Sequence, residues 1–190
     1  MWELDSAEGH RGRVGVLLED GSVPGPVYYD IGSGASFHKS AEWHIYDGTL
    51  GAPRADRMRA ACACGWYGEV AYPIEWDRVS SREPYHYDTS GPQGDWATHA
   101  REVAALARPL PEDIAALLSR LRTRVDELEN SDILAGLRVM GELESVIGCS
   151  APYFARAATG AYPEEEIARA LGSTRAALTT RLRRYDRPAY

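Results

Sequence analysis

Two spacings of apolar residues divide the chain. Before about residue 95 they come in short or alternating runs between Gly- and Pro-rich stretches, and after it they recur at helical steps. Ile114, Leu117, Leu121, Val125 and Leu128 form one stripe, predicting a helix over about 112–129 that Pro111 opens and Asn130-Ser131 closes. Ile133, Leu137, Met140, Leu143 and Ile147 continue the pattern over about 132–147. Asp95 suits the cap of an earlier helix, about 96–107, ended by Pro109 and Pro111. Pro152 is read as restarting a short helix that ends near Gly160, and two final helices are expected at about 163–171 and 174–185.

The first half carries β signals. Val14 to Leu18 reads as a short strand, followed by a turn at Glu19-Asp20-Gly21-Ser22. The segment Gly32 to Ser36 is loop-like, and residues 1–35 are expected to form a loosely structured arm. Glu42 to Tyr46 alternates and is rich in aromatics. Met58 to Cys64 and Glu69 to Tyr72 read as its partners in a small antiparallel sheet. The expected fold class is α+β. A small α+β module over residues 36–108 is followed by an all-helical region over 109–190.

The end of the chain has the features of a helix-turn-helix. Pro163 and three glutamates, Glu164 to Glu166, suit a first turn. Ile167 and Leu171 face inward, Ala168 permits close crossing, and Gly172 can take the left-handed conformation of a tight turn. Ser173 or Thr174 can cap the second helix, whose Leu178 and Leu182 face the core. Ser173, Thr174, Arg175, Thr179, Thr180 and Arg183 are then the expected contacts to duplex DNA, with Arg181 and Arg184 flanking on phosphates.

Charge sharpens this picture. The formal net charge is -7, which by itself disfavours nucleic acid. From Ser173 onward, however, five arginines stand against one acid, Asp186. Lys39 is the one lysine among 21 basic residues, a bias typical of high-GC coding.

The segments Gly141 to Glu144, Phe154 to Ala161 and Glu166 to Arg175 resemble the helix-turn-helix stretches of small high-GC bacterial regulators. The resemblance spans residues 131–190. Here Tyr162-Pro163 replaces a usual Ser-Trp, and Ala176 stands where a Gln is usual, which removes one base reader. The resemblance implies insertion of helix 174–185 into the major groove.

Cys62-Ala63-Cys64-Gly65-Trp66 is the second chemical feature. Closely spaced thiols suit zinc, a buried packed pair, or a redox dithiol, and zinc asks for four S or N ligands. On a strand, Cys-x-Cys puts both sulfurs on one face, and Gly65 can bend the chain so that they converge. His99, beside Trp96, is the expected third ligand and His44 the fourth, with His86 and His38 as alternatives. Cys-x-Cys-Gly-Trp followed by Trp-x-x-His is similar to a zinc-ribbon-like pattern in other small high-GC bacterial proteins, and four protein ligands, leaving no open position for a catalytic water, would make the zinc structural. Cys149 reads as a core residue.

No phosphate-binding loop, nucleophile elbow or paired carboxylates suggest an enzyme. No signal peptide or membrane span is visible, so a cytoplasmic location is expected. The chain is therefore expected to bind double-stranded DNA as a transcription regulator and to carry zinc. Homodimerisation through helix 112–129 is an open option. The rival readings are an adaptor docking on RNA polymerase or another protein, and a metal- or redox-sensing switch.

Overall fold

The computed structural model describes residues 1–30 and 37–186. The chain divides into two compact units, Met1–Ala104 and Ala105–Tyr190.

The first unit is built on β1 (Gly12–Leu17), β4 (Arg57–Cys62) and β5 (Tyr72–Pro73), an antiparallel sheet in the order β1-β4-β5. A separate hairpin pairs β2 (Val27–Asp30) with β3 (Phe37–Ser40). In the β1–β4 register Gly12 faces Cys62, Val14 faces Ala60 and Val16 faces Met58. These six residues share one face of the pleat, and two apolar clusters cover it. Trp43, Tyr46, Ala55 and Ile74 pack on Val14, Val16 and Met58. Ala7, Trp96 and Ala100 pack on Ala60 and Cys62.

Of the loose arm expected over residues 1–35, the described part, residues 1–30, instead supplies β1 and part of the core. Trp2 and Gly12 exchange backbone hydrogen bonds of 2.8 and 2.7 Å, closing the segment between them into a loop whose Ala7 is buried. The Gly32–Ser36 loop falls outside the described residues. The turn at 19–22 forms as expected, with Gly21 at φ +81°, but β1 runs from it to pair with β4 and not with the next strand.

The strand expected over Glu42–Tyr46 is a single 3-10 turn, Trp43–Ile45. Its reason lies in burial: Trp43 and Tyr46, three residues apart, are both buried, and a 3-10 turn puts such a pair on one side. The first helix, α1 (Ser90–Leu106), begins before the Asp95 cap. Asp88 accepts a hydrogen bond from the Ser90 N–H at 2.9 Å, and Asp95, inside the helix, accepts from the Tyr72 hydroxyl at 3.0 Å.

Gly12 is where α1 meets the sheet most closely. A Cβ there would lie 2.4 Å from the Trp96 ring, and Trp96 is itself buried. Gly12→Ala is expected to destabilise the first unit by about 1–3 kcal/mol through overpacking. Gly94→Ala, on the same helix with nothing near its Cβ, should cost nothing. Denaturant titration followed by tryptophan fluorescence separates the two, and equal midpoints would remove this contact from the account.

The second unit is helical. Its elements are α2 (Glu112–Ser131), α3 (Ile133–Ala161), α4 (Glu164–Ala170) and α5 (Arg175–Tyr185). Asp132 alone separates α2 from α3, and its side chain caps α3 by accepting from Ala135 N–H at 3.0 Å. The break expected at Pro152 is absent: α3 runs through it. Proline's fixed φ is helical, so the helix forgoes one backbone hydrogen bond while the apolar spacing continues on both sides. The core of this unit is Ile167, Ala168 and Leu178, with Ala158 and Leu182 beside them. Among the described residues, none of α2 or α3 is buried. Among the described residues, no helix is long and apolar enough to cross a membrane.

Candidate metal centre and candidate nucleic-acid interface

Four side chains converge where β1, β4 and α1 meet: His10, Cys62, Cys64 and His99. One ligand atom from each lies within 4.8 Å of all the others, an arrangement that can hold a metal ion. Each is placed by a separate local cause. Cys62 ends β4. Ala63 to Gly65 then turn back, with Gly65 N–H donating to the Cys62 carbonyl at 3.0 Å and Gly65 at φ +95°, a region open to glycine. Cys64 therefore sits in a turn and not on the strand, and it is the turn that brings the two sulfurs together. The Trp66 N–H points at Cys64 Sγ from 3.4 Å, a donor that favours thiolate.

His10 follows from strand register. Gly12 is paired with Cys62, and Ala63 N–H donates to the Arg11 carbonyl at 2.9 Å, so the residues just before β1 lie against the residues just after β4. The loop closed by Trp2 and Gly12 holds His10 buried, its Nδ1 3.6 Å from Cys62 Sγ. His99 is carried by α1, one turn along from Trp96 and next to Ala100, both seated on the sheet. Its Nε2 is 3.5 Å from Cys64 Sγ, and its ring stacks on Trp66 with centroids 4.2 Å apart and planes 3° apart.

Electrostatics here oppose protonation of the ring and ionisation of the thiol. Burial, then the neighbouring His10, holds the His99 pKa below its ordinary value. Burial pushes the Cys64 thiol up, with the neighbouring Cys62 adding to the rise. A neutral His99 ring is a ready ligand, while the Cys64 thiol needs a cation to carry its charge.

The structure gathers Cys62, Cys64 and His99 of the expected ligands, but not His44. His44 lies in the 3-10 turn beside Tyr85 and Trp43, with its Nδ1 buried and without a hydrogen-bond partner. The expectation failed because it paired the cysteine strand with residues 42–46, whereas its partner is β1. His86 lies in another 3-10 turn, 3.6 Å from the Glu83 carboxylate, and the side chain of His38 is outside the described residues. The candidate ligand that the sequence reading missed, His10, follows the positive-φ Gly9 and immediately precedes the Arg11-Gly12 entry to β1. Cys149, expected in a core, is exposed on α3.

The second candidate site is the α4–α5 pair. Gly172, at φ +60°, follows α4. Its N–H donates to the Arg169 carbonyl and Ser173 N–H to the Ala168 carbonyl, at 3.1 and 2.9 Å. This paired closure satisfies the end of α4 and turns the chain sharply. Thr174 caps α5 by accepting from Ala177 N–H at 3.2 Å. Ser173, expected at the DNA surface, is buried in this turn instead, because closing α4 draws it under the helix end.

Along α5, Leu178 and Leu182 pack inward, while Ala176, Thr179, Thr180 and Arg183 fall on the opposite side at steps of three, one and three. Thr180 and Arg183 are exposed and Thr179 half-buried. The threonine hydroxyls donate to carbonyls one turn back, Arg175 and Ala176, at 3.0 Å each. Arg175 pairs with Glu165 across the two helices, and the exposed Arg184 lies over the Tyr185 ring. Arg181 is half-buried at the side of the helix, and Arg187 lies outside the described residues. Compared with known protein families, characterised proteins and solved structures, the chain gives no match.

Proposed function

We propose that the chain binds double-stranded DNA as a transcription regulator, with α4 and α5 as its helix-turn-helix and a structural zinc ion in its first unit. The observation that carries the DNA reading is the outer side of α5. It is open to solvent, short at its centre and cationic at its far end, while α4 is packed behind it. Ala176 and the threonines let the helix backbone approach a groove floor. Arg183 reaches furthest and is suited to a guanine edge or a phosphate. Arg175 is held by an exposed ion pair, which costs on the order of 0–1 kcal/mol to exchange for a phosphate. Arg181 and Arg184 flank the helix as phosphate contacts.

Zinc is supported by the donor set and its spacing. Two thiolates and two imidazoles make a borderline-soft, tetrahedral set. Zinc bond lengths of about 2.3 Å to S and about 2.0 Å to N place neighbouring S and N about 3.5 Å apart. Of the four S–N pairs, Cys62–His10 and Cys64–His99 are 3.6 and 3.5 Å apart, and all four ligand atoms lie within 4.8 Å of one another. Four protein ligands leave no coordination position for a substrate or reactive water, which favours a structural role.

The experiment for the DNA reading is selection of duplexes from a random-sequence library, followed by methylation interference on the enriched site. Guanine N7 methylation should block binding at defined positions, since N7 lies in the major groove. Enrichment of no sequence, or interference confined to adenine N3 in the minor groove, would sink the proposed docking of α5.

A further inference from the structure

The helices α2 and α3 each carry a heptad row, apolar throughout on α2 and apolar but for Glu144 on α3. On α2 it is Ile114, Leu118, Leu121, Val125 and Leu128, at steps of four, three, four and three. On α3 the steps from Ile133 continue through Leu137, Met140, Glu144, Ile147 and Ala151 to Phe154 in the same alternation. Such rows are the seams of packed helix bundles. Here the seams are unfilled. Leu121, Val125 and Leu128 are only half-buried, and an open groove of about 340 Å³ remains where Val125 and Leu128 face Ile133, Leu137 and Met140.

From this we infer that the α2–α3 hairpin is a dimerisation element that closes against the same hairpin of a second copy, giving a four-helix bundle about a twofold axis. Area argues for it. Eight side chains on the two rows and beside them (Ile114, Leu117 and Leu118 on α2; Ile133, Leu137, Met140, Ile147 and Phe154 on α3) are each between 37% and 74% exposed. Together they offer roughly 900 Å² per copy, against the roughly 800 Å² per partner of a standard stable interface. Identity of the occupant follows from pattern. A hairpin with two heptad rows needs two more rows of the same period, and a second copy supplies them in a self-complementary way. Glu144 is the one charge in the rows, and a symmetric bundle gathers both copies of it in its core. The inference does not depend on the DNA reading.

Sedimentation equilibrium of the full-length, metal-loaded chain without DNA, from about 1 to about 100 µM, tests it. The parent is expected to sediment as a dimer. Leu137→Glu should give a monomer with unchanged helix content and metal content, because Leu137 is already exposed in the single chain. Leu134→Glu, exposed but off the row, should stay dimeric. Glu144→Leu should tighten the dimer by about tenfold or more, by burying apolar surface where charge was buried. A parent monomeric throughout, a dimeric Leu137→Glu, or an unchanged dissociation constant for Glu144→Leu would overturn the proposal. A dimer that fails to bind DNA would leave this inference standing and remove the functional one.

Discussion

Replacing Cys62 by serine is expected to strip the metal from the first unit and to destabilise that unit by on the order of 4 kcal/mol or more, the range reached when a structural metal is lost. The site joins three separate segments of the chain. His10 comes from the amino-terminal loop, the cysteines from the end of β4 and its turn, and His99 from α1. The apolar cluster beneath it is small, with alanines at Ala7, Ala60 and Ala100 around Trp96. Such a cluster gives little burial energy for the three segments it must fix, so an ion bridging them would contribute a large share of the local stability. Elemental analysis should find about one zinc per parent chain, as a four-ligand site holds, and close to none in Cys62→Ser. Two histidine variants sharpen the test: His10→Ala should lose the metal, and His44→Ala should keep it. Retention by His10→Ala would show that the cluster is not the ligand set.

Charge reversal at Arg183 is expected to give the second large effect, lowering duplex affinity by about 30- to 100-fold at moderate salt, since it removes a cation and places a carboxylate near phosphates. Arg183 is exposed, has no role in the Ile167–Ala168–Leu178 core, and should be replaceable without unfolding α5. Equilibrium binding to the selected duplex, with helix content measured on the same sample, provides the check. Affinity within twofold of the parent would take Arg183 off the interface.

The local grammar of the chain was legible. Gly172 after Leu171, Thr174 before a helical run, and leucines four apart marked α4, the turn and α5 to within a residue or two, since each signal acts on its own neighbours. The heptad spacing likewise revealed α2 and most of α3. Pro152 misled because its local preference was outweighed by apolar spacing on both sides. Strand partners were not legible. β1 and β4 are joined across some 40 intervening residues, and no local signal says which of two early strands the cysteines will face. That single ambiguity decided the fourth ligand, putting His44 in place of His10. It also hid the value of residues 2–12, whose hydrogen bonds and buried Ala7 arise only once β4 is beside them. Gly65 is legible as the bend that brings the sulfurs together, whereas the strand ends at Cys62, so Cys64 lies in the turn that Gly65 closes.

The most direct measurement is the salt dependence of duplex binding by the metal-loaded chain, from about 50 to about 250 mM salt. If α5 docks with Arg175, Arg181, Arg183 and Arg184 on the duplex, log affinity should fall with log salt at a slope of about −3 to −4 for each bound helix. A duplex left unbound at the lowest salt, or bound with a slope near zero, would contradict the account.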